Sequence, residues 1–264
     1  MKKFFGMMVL LFGLGLGKVH SHYLWLNVDN YNPPPGEEIT ISVGWGHKFP
    51  KDGEAKASGL DKLFVINPQG KTIPLEIKSN EKELVEPVKI KLKDAGTYLI
   101  VLTKKSGFSS KTTKGYRYKS KKELEKEGFN VLNASWSEGV AKAIVNVGAP
   151  ESESFKKEIE NRFQVVPLQN PKNLKKGDVL SLKVILKDKP EGEHSAFVYA
   201  TYSGFSNEKD NYCCAVKPDK NDIAKIKILQ KGIWLVYAPQ ELKYPKPDEA
   251  DRYSYTDTLT FEVK

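Results

Sequence analysis

Apolar and polar side chains alternate along most of the chain. Ile39, Ile41, Val43 and Trp45 take every second place, which puts them on one face of a strand. Residues 63–67, 71–77 and 88–92 repeat the pattern, and Asn67-Pro68-Gln69-Gly70 forms a turn between the first two. Asp94-Ala95-Gly96 is a further turn ahead of a strand at 97–101, where Tyr98 is placed to pin a corner as in immunoglobulin-like sandwiches. Between residues 104 and 136 the alternation lapses into Ser, Thr, Lys and Gly. A capping box from Ser120 to Glu123 there predicts a short helix, with Gly128 at its far end. A strand at 141–147 closes this half.

Residues 149–161 are charged, with only Phe155 and Ile159 at helical spacing, and read as a linker holding a short helix. Alternation resumes at 163–168, in Leu180, Leu182, Val184 and Leu186, and at 196–202, 224–228, 233–237 and 259–263, with turns at 189–192, 218–222 and 231–232. The expected fold is all-β: two immunoglobulin-like β-sandwich domains in tandem, 22–148 (with an insertion around 104–136) and 162–264, joined by the linker 149–161.

Residues 1–21 depart from this pattern. Lys2-Lys3, an apolar run at 4–16 and a small-residue exit have the three parts of a cleaved signal peptide. The run is too short for a lasting membrane anchor, which needs roughly 20 apolar residues. A cut after Ser21 makes His22 the first residue; a cut after Gly17 leaves Lys18-Val19-His20, and the charge of Lys18 so close to the terminus favours Ser21. Removal of residues 1–21 takes away Lys2, Lys3 and Lys18, so the formal charge falls from +9 to +6 and 243 residues remain. The expected location is periplasmic. The remaining charge is spread along the chain without a basic-aromatic stripe, which excludes nucleic acid as a partner.

Export to an oxidising compartment makes Cys213 and Cys214 notable, because they stand side by side. Adjacent cysteines bridge only with strain in the peptide between them. The pair reads as a strained disulfide, as two thiols able to hold a soft metal, or as two small buried hydrophobes.

Candidate chemistry centres on histidine. If His22 is terminal, its amine and imidazole form a chelate, and imidazole suits copper, nickel and zinc. His47 ends a strand between Gly46 and a turn at Pro50, on a rim within reach of the terminus. His194 precedes a strand in the second half and is a possible third ligand. Each has a plain alternative: an arbitrary first residue for His22, an exposed turn histidine for the other two. Asp29, Glu193, Asp251 and Tyr202 are possible further donors, though solvated surface explains them as well. Trp25, Trp45 and Trp234 are expected in sandwich cores. Tyr253 and Tyr255 are expected either to line a groove or to pack. No nucleophile elbow, phosphate loop or paired helical carboxylate is present, which disfavours hydrolases and nucleotide-dependent enzymes.

Several motifs in order along the chain resemble the DUF4198 family. They are His22-Tyr23-Leu24-Trp25-Leu26, Gly46-His47-Lys48-Phe49-Pro50, Val166-Pro167-Leu168-Gln169-Asn170-Pro171 leading to Lys176-Gly177-Asp178, Gly232-Ile233-Trp234-Leu235-Val236, and Tyr253-Ser254-Tyr255-Thr256-Asp257-Thr258-Leu259-Thr260-Phe261. The resemblance implies a periplasmic β protein that captures nickel or cobalt for an uptake system, whose inner-membrane transporter is a separate chain. Two rival classes stand beside this expectation: a copper histidine-brace oxidative enzyme, and a non-catalytic scaffold or adhesion module.

Overall fold

The computed structural model describes residues 22–190 and 195–264. In chain order the strands are β1 (Tyr23–Val28), β2 (Glu38–Gly46), β3 (Gly53–Glu54), β4 (Leu60–Ile66), β5 (Thr72–Leu75), β6 (Val88–Lys91), β7 (Gly96–Lys104), β8 (Gly107–Thr112) and β9 (Gly115–Arg117). After the helix α1 (Lys121–Lys126) come β10 (Val131–Val147), β11 (Phe163–Pro167), β12 (Val179–Leu186), β13 (Val198–Tyr202), β14 (Cys214–Val216), β15 (Ile223–Lys227), β16 (Gly232–Lys243) and β17 (Arg252–Val263). The all-β expectation is met. Among the described residues no helix is long and apolar enough to cross a membrane.

These strands form three sheets. A ten-stranded sheet runs β14-β13-β16-β17-β10-β7-β4-β5, with β8 joined to β10 and β9 to β8. A four-stranded sheet holds β1, β2, β3 and β6, and a three-stranded one holds β11, β12 and β15. The large sheet contains strands from both halves of the sequence, joined where β10 and β17 pair in parallel over Ser135↔Arg252 to Ala143↔Thr260. Where the alternation pattern suggests two consecutive sandwiches, the halves thus meet edge to edge in one sheet.

Alternation along β10 shows how each face is used. Ala141, Ala143, Val145 and Val147 turn toward the four-stranded sheet and pack with Leu24, Leu26, Ile39 and Ile41. Val140 and Ile144 turn the other way, into a core shared with Val165, Leu182, Leu259 and Phe261. Both cores exclude water, and burial of each large aliphatic chain contributes about 1.5–3 kcal/mol.

Local signals hold where the sequence placed them. Ser120 caps α1 by accepting from the Glu123 amide, while the Glu123 carboxylate accepts from the Ser120 amide at 2.9 Å. The Tyr98 hydroxyl donates to the Asp94 carbonyl and accepts from the Asp94 amide, both at 3.0 Å, which pins the corner before β7. The segment 149–161 contains a short 3-10 turn, Glu153–Lys156, and is fastened to the first half: Phe155 is buried, and the Ser154 hydroxyl donates to the Asn67 carbonyl at 2.6 Å.

The strand β1 is buried on both faces, which explains its nearly unbroken apolar sequence. Leu24 and Leu26 enter one core; Tyr23 and Trp25 enter another with Phe49, Leu235 and Tyr237. The hydroxyls of Thr258 and Thr260 on β17 donate to the carbonyls of Leu24 and Leu26, each at 2.8 Å, and fix β1 against the large sheet. Residue 22 directly precedes this anchored strand.

Gly44 lies opposite Trp25 in the β1–β2 register, and a Cβ there would come within 2.1 Å of the indole. Such contact forces a shift in a packed indole, and overpacking of this kind costs about 1–3 kcal/mol. Gly44→Ala is therefore expected to lower the urea midpoint, and Gly44→Ala with Trp25→Leu to recover part of the loss. Equal midpoints for wild type and Gly44→Ala would refute the steric argument.

Candidate metal centre

The turn after β2 brings His47 to His22. Asn27 Nδ2 and Trp25 Nε1 both donate to the Pro50 carbonyl at 3.1 Å, which folds the turn back onto β1. The rings of His22 and His47 then lie with centroids 4.5 Å apart, tilted by 55°. The His22 ring also stacks on Trp45 at 5.6 Å. Trp25 and Trp234 are fully buried, as expected of core tryptophans, whereas Trp45 is half-buried: it packs against the edge of the core that holds Leu24 and Ile41 and also serves as a platform for His22.

His47 is held from several sides. Its amide donates to Asp52 Oδ2 at 2.8 Å, and its carbonyl accepts from the Asp210 amide at 2.9 Å. Its Nδ1 lies 3.0 Å from Asp210 Oδ1. A carboxylate only accepts, so in the neutral imidazole this contact puts the proton on Nδ1 and the lone pair on Nε2. Gly46 makes the arrangement possible: its φ is +137°, and a Cβ there would meet the Asp52 carboxylate at 2.3 Å. The amide of His47 holds the Asp52 carboxyl below the usual range. Burial, and then the neighbouring His47, lower the pKa of His22 and favour its neutral imidazole, the form that binds metals.

Tyrosines back the pair. The Tyr212 hydroxyl donates to the Tyr23 hydroxyl at 3.0 Å and lies 3.3 Å from Asp210 Oδ1. Tyr23 stacks on Tyr237 at 4.1 Å and meets His47 edge-on at 5.9 Å. Burial pushes the phenols of Tyr23, Tyr212 and Tyr237 well above their ordinary values, so they remain neutral. A polar cleft lined by Lys104, Ser137, Glu138, Ser254 and Thr256 opens beside His22.

Of the three histidines picked out in the sequence, His22 and His47 come together and His194 lies outside the described residues, as do Glu193 and the segment 1–21 with its expected cleavage site. The other suggested donors are elsewhere. Asp29 accepts from the Thr40 amide, Asp251 accepts from the Ala134 amide, and Tyr202 packs on Trp234. Tyr255 is buried, and Tyr253 stacks on it, with Arg162 over both rings. Asp210 and Tyr212 carry little signal in the sequence, because they sit in a turn-rich stretch and Asp210 lies 163 residues from His47. Their only local sign is a carboxylate and an aromatic crowded just ahead of the cysteine pair.

Among the described residues no three His, Cys, Asp or Glu side chains converge as a metal-binding group. The side chains supply two imidazoles; a third nitrogen is available from residue 22 itself, whose amide nitrogen becomes a free amine if the chain is cut after Ser21.

The family model of a domain of unknown function, DUF4198, matches residues 19–241, most of the chain; it takes in the motifs from His22 to Val236 and stops short of the one from Tyr253 to Phe261. No curated protein matches. Similar solved structures include murine CEACAM1b, at 10% identity and a TM-score of 0.22, with 91% of this chain and 98% of that one covered. Escherichia coli alpha-2-macroglobulin activated by porcine elastase is similar at 11% identity and a TM-score of 0.27, covering 92% of this chain and 20% of that one. Titin domains A168–A170 are similar at 14% identity and a TM-score of 0.20, covering 92% and 65%.

Proposed function

Because the chain belongs to the DUF4198 family and its fold sets His22 beside His47, we propose that the mature protein is a periplasmic binding protein for a divalent transition metal, nickel or cobalt. It serves an uptake system whose inner-membrane transporter is a separate chain. The single observation that carries this reading is the 4.5 Å approach of the two imidazoles at the expected mature terminus. The amine and imidazole of His22 close a chelate ring, and Nε2 of His47 adds a third nitrogen. Three neutral nitrogens suit late first-row divalent ions, and Asp210 behind His47 is the carboxylate partner that metal-bound imidazoles ordinarily have.

A second reading uses the same atoms. A terminal histidine, its amine and a second histidine form the copper brace of oxidative polysaccharide-cleaving enzymes, and nitrogen sites favour divalent copper over nickel or cobalt. Copper-dependent oxidation of a polymer distinguishes an enzyme from a carrier.

The test is to express the chain with its own leader, purify it from the periplasm, and record native mass spectra before and after adding nickel, cobalt and copper. The expected result is a mass that begins at His22 and retains one divalent ion, lost in His22→Ala. A protein starting at His22 but carrying one extra N-terminal methionine keeps both imidazoles, loses the chelating amine, and is expected to bind more weakly. A chain that starts elsewhere and retains no metal overturns the proposal and leaves the scaffold reading.

A further inference from the structure

We propose that Cys213 and Cys214 form a second, soft-metal site, a dithiol that takes one monovalent copper ion. The two sulfurs stand 3.5 Å apart as free thiols, and each residue is partly exposed at the start of the edge strand β14. The site stands on this geometry alone and does not depend on the histidine centre.

Three observations favour a metal over the alternatives. A disulfide between neighbours strains the peptide that joins them, and here the sulfurs are at hydrogen-bonding distance. Two thiolates on one two-coordinate ion open toward a linear angle, which at metal–sulfur bonds near 2.3 Å sets them up to about 4.6 Å apart, so the side chains must rotate to spread the sulfurs from their 3.5 Å separation by about 1 Å. Both side chains pack against the core at the sheet edge, yet each sulfur also faces a backbone carbonyl: Cys213 Sγ lies 3.3 Å from the Ala200 carbonyl and Cys214 Sγ 3.9 Å from the Lys227 carbonyl.

Thiolate pairs select soft ions. Zinc in a closed site calls for four protein ligands, and among the described residues no third His, Cys, Asp or Glu joins the pair. Monovalent copper accepts low coordination, which two sulfurs satisfy.

The proton inventory is consistent with this assignment. A hydrogen bond from Cys213 lowers the Cys214 thiol to about 7, and the same bond together with burial pushes Cys213 up. Cys214 is thus the sulfur that loses its proton first. On binding, both sulfurs become ligands, every proton they still carry goes to solvent, and no electron is transferred. The same short segment carries Asp210 and Tyr212, which support His47 and Tyr23. An ion on the dithiol therefore sits on the stretch of chain that holds the histidine centre in place.

The probe is monovalent copper added anaerobically to the full mature protein, in competition with a chromophoric copper(I) chelator and with the ultraviolet thiolate-to-copper band as the direct signal. One equivalent should bind with that band in the wild type and in His22→Ala with His47→Ala, and the band should disappear in Cys214→Ser. Cys213 is more enclosed, so Cys213→Ser is read only after its circular dichroism matches wild type. The proposal is overturned if Cys214→Ser binds with the same band and affinity as wild type, if wild type takes up no copper(I), or if the intact mass of unreduced periplasmic protein is lower by two hydrogens.

Discussion

Lys142→Met is expected to destabilise the protein by about 3–5 kcal/mol, the range found when one partner of a buried ion pair is removed. Lys142 lies on the β10 face that carries Val140 and Ile144 into the apolar core, and its side chain is only 3% exposed. Its Nζ is 2.6 Å from Asp257 Oδ2 on β17 and donates to the Val165 carbonyl on β11 at 2.6 Å. The same Oδ2 accepts from the Val165 amide at 2.7 Å, so one cluster ties the large sheet to the three-stranded sheet across the core. Asp257 Oδ1 is buried and has no hydrogen-bond partner among the described residues. Loss of the ammonium strands this carboxyl group in an apolar setting. Lys142→Met with Asp257→Leu removes both charges and is expected to lie much closer to wild type in urea unfolding. A single variant no less stable than the double one would sink the argument.

The cluster also has a pH signature. Burial raises the Asp257 carboxyl from 3.8 to about 6, although Lys142 and the Val165 amide pull the other way. The folded state therefore holds this proton more tightly than the unfolded chain does. The contribution to stability is complete below about pH 4 and is lost as pH rises through about 6. Unfolding free energies measured across this interval should differ in slope between wild type and the double variant, with the double variant flatter. Identical slopes would mean that Asp257 titrates as it does in the unfolded chain.

His47→Ala is expected to abolish retention of a divalent ion, since it removes one of two imidazoles and leaves a bare terminal chelate. Asp210→Asn is the more informative change. The Asp210 amide still donates to the His47 carbonyl, while the side chain no longer requires the proton on Nδ1. Loss of such a carboxylate partner typically costs 10–100-fold in metal affinity. Calorimetric titration of the mature protein with nickel and with copper should show this drop with the melting temperature little changed. Undiminished affinity in Asp210→Asn would show that Asp210 serves the turn and not the ligand.

Much of the architecture was written locally. Most strands fall where apolar residues alternate, because a pleated chain turns every second side chain to the same face; the expected insertion at 104–136 is the exception, since β8, β9 and the start of β10 form there without alternation, paired to one another as an extension of the large sheet. The capping box at Ser120 and the corner at Tyr98 were legible for a related reason: each is completed by residues three or four positions apart. His22 and His47 stood out because an expected terminus and a glycine-bounded turn are themselves local features.

The sequence by itself therefore determined the β class, the places of most strands and the two histidines worth watching. Tertiary structure alone decided what they meet. The parallel pairing of β10 with β17, the burial of Lys142 against Asp257, the Trp45 platform under His22 and the Asp210 carboxylate behind His47 all join residues whose neighbours along the chain say nothing of one another. Alternation records which face of a strand is apolar. It carries no record of the strand that will lie beside it, because register and partner are chosen by packing over the whole core.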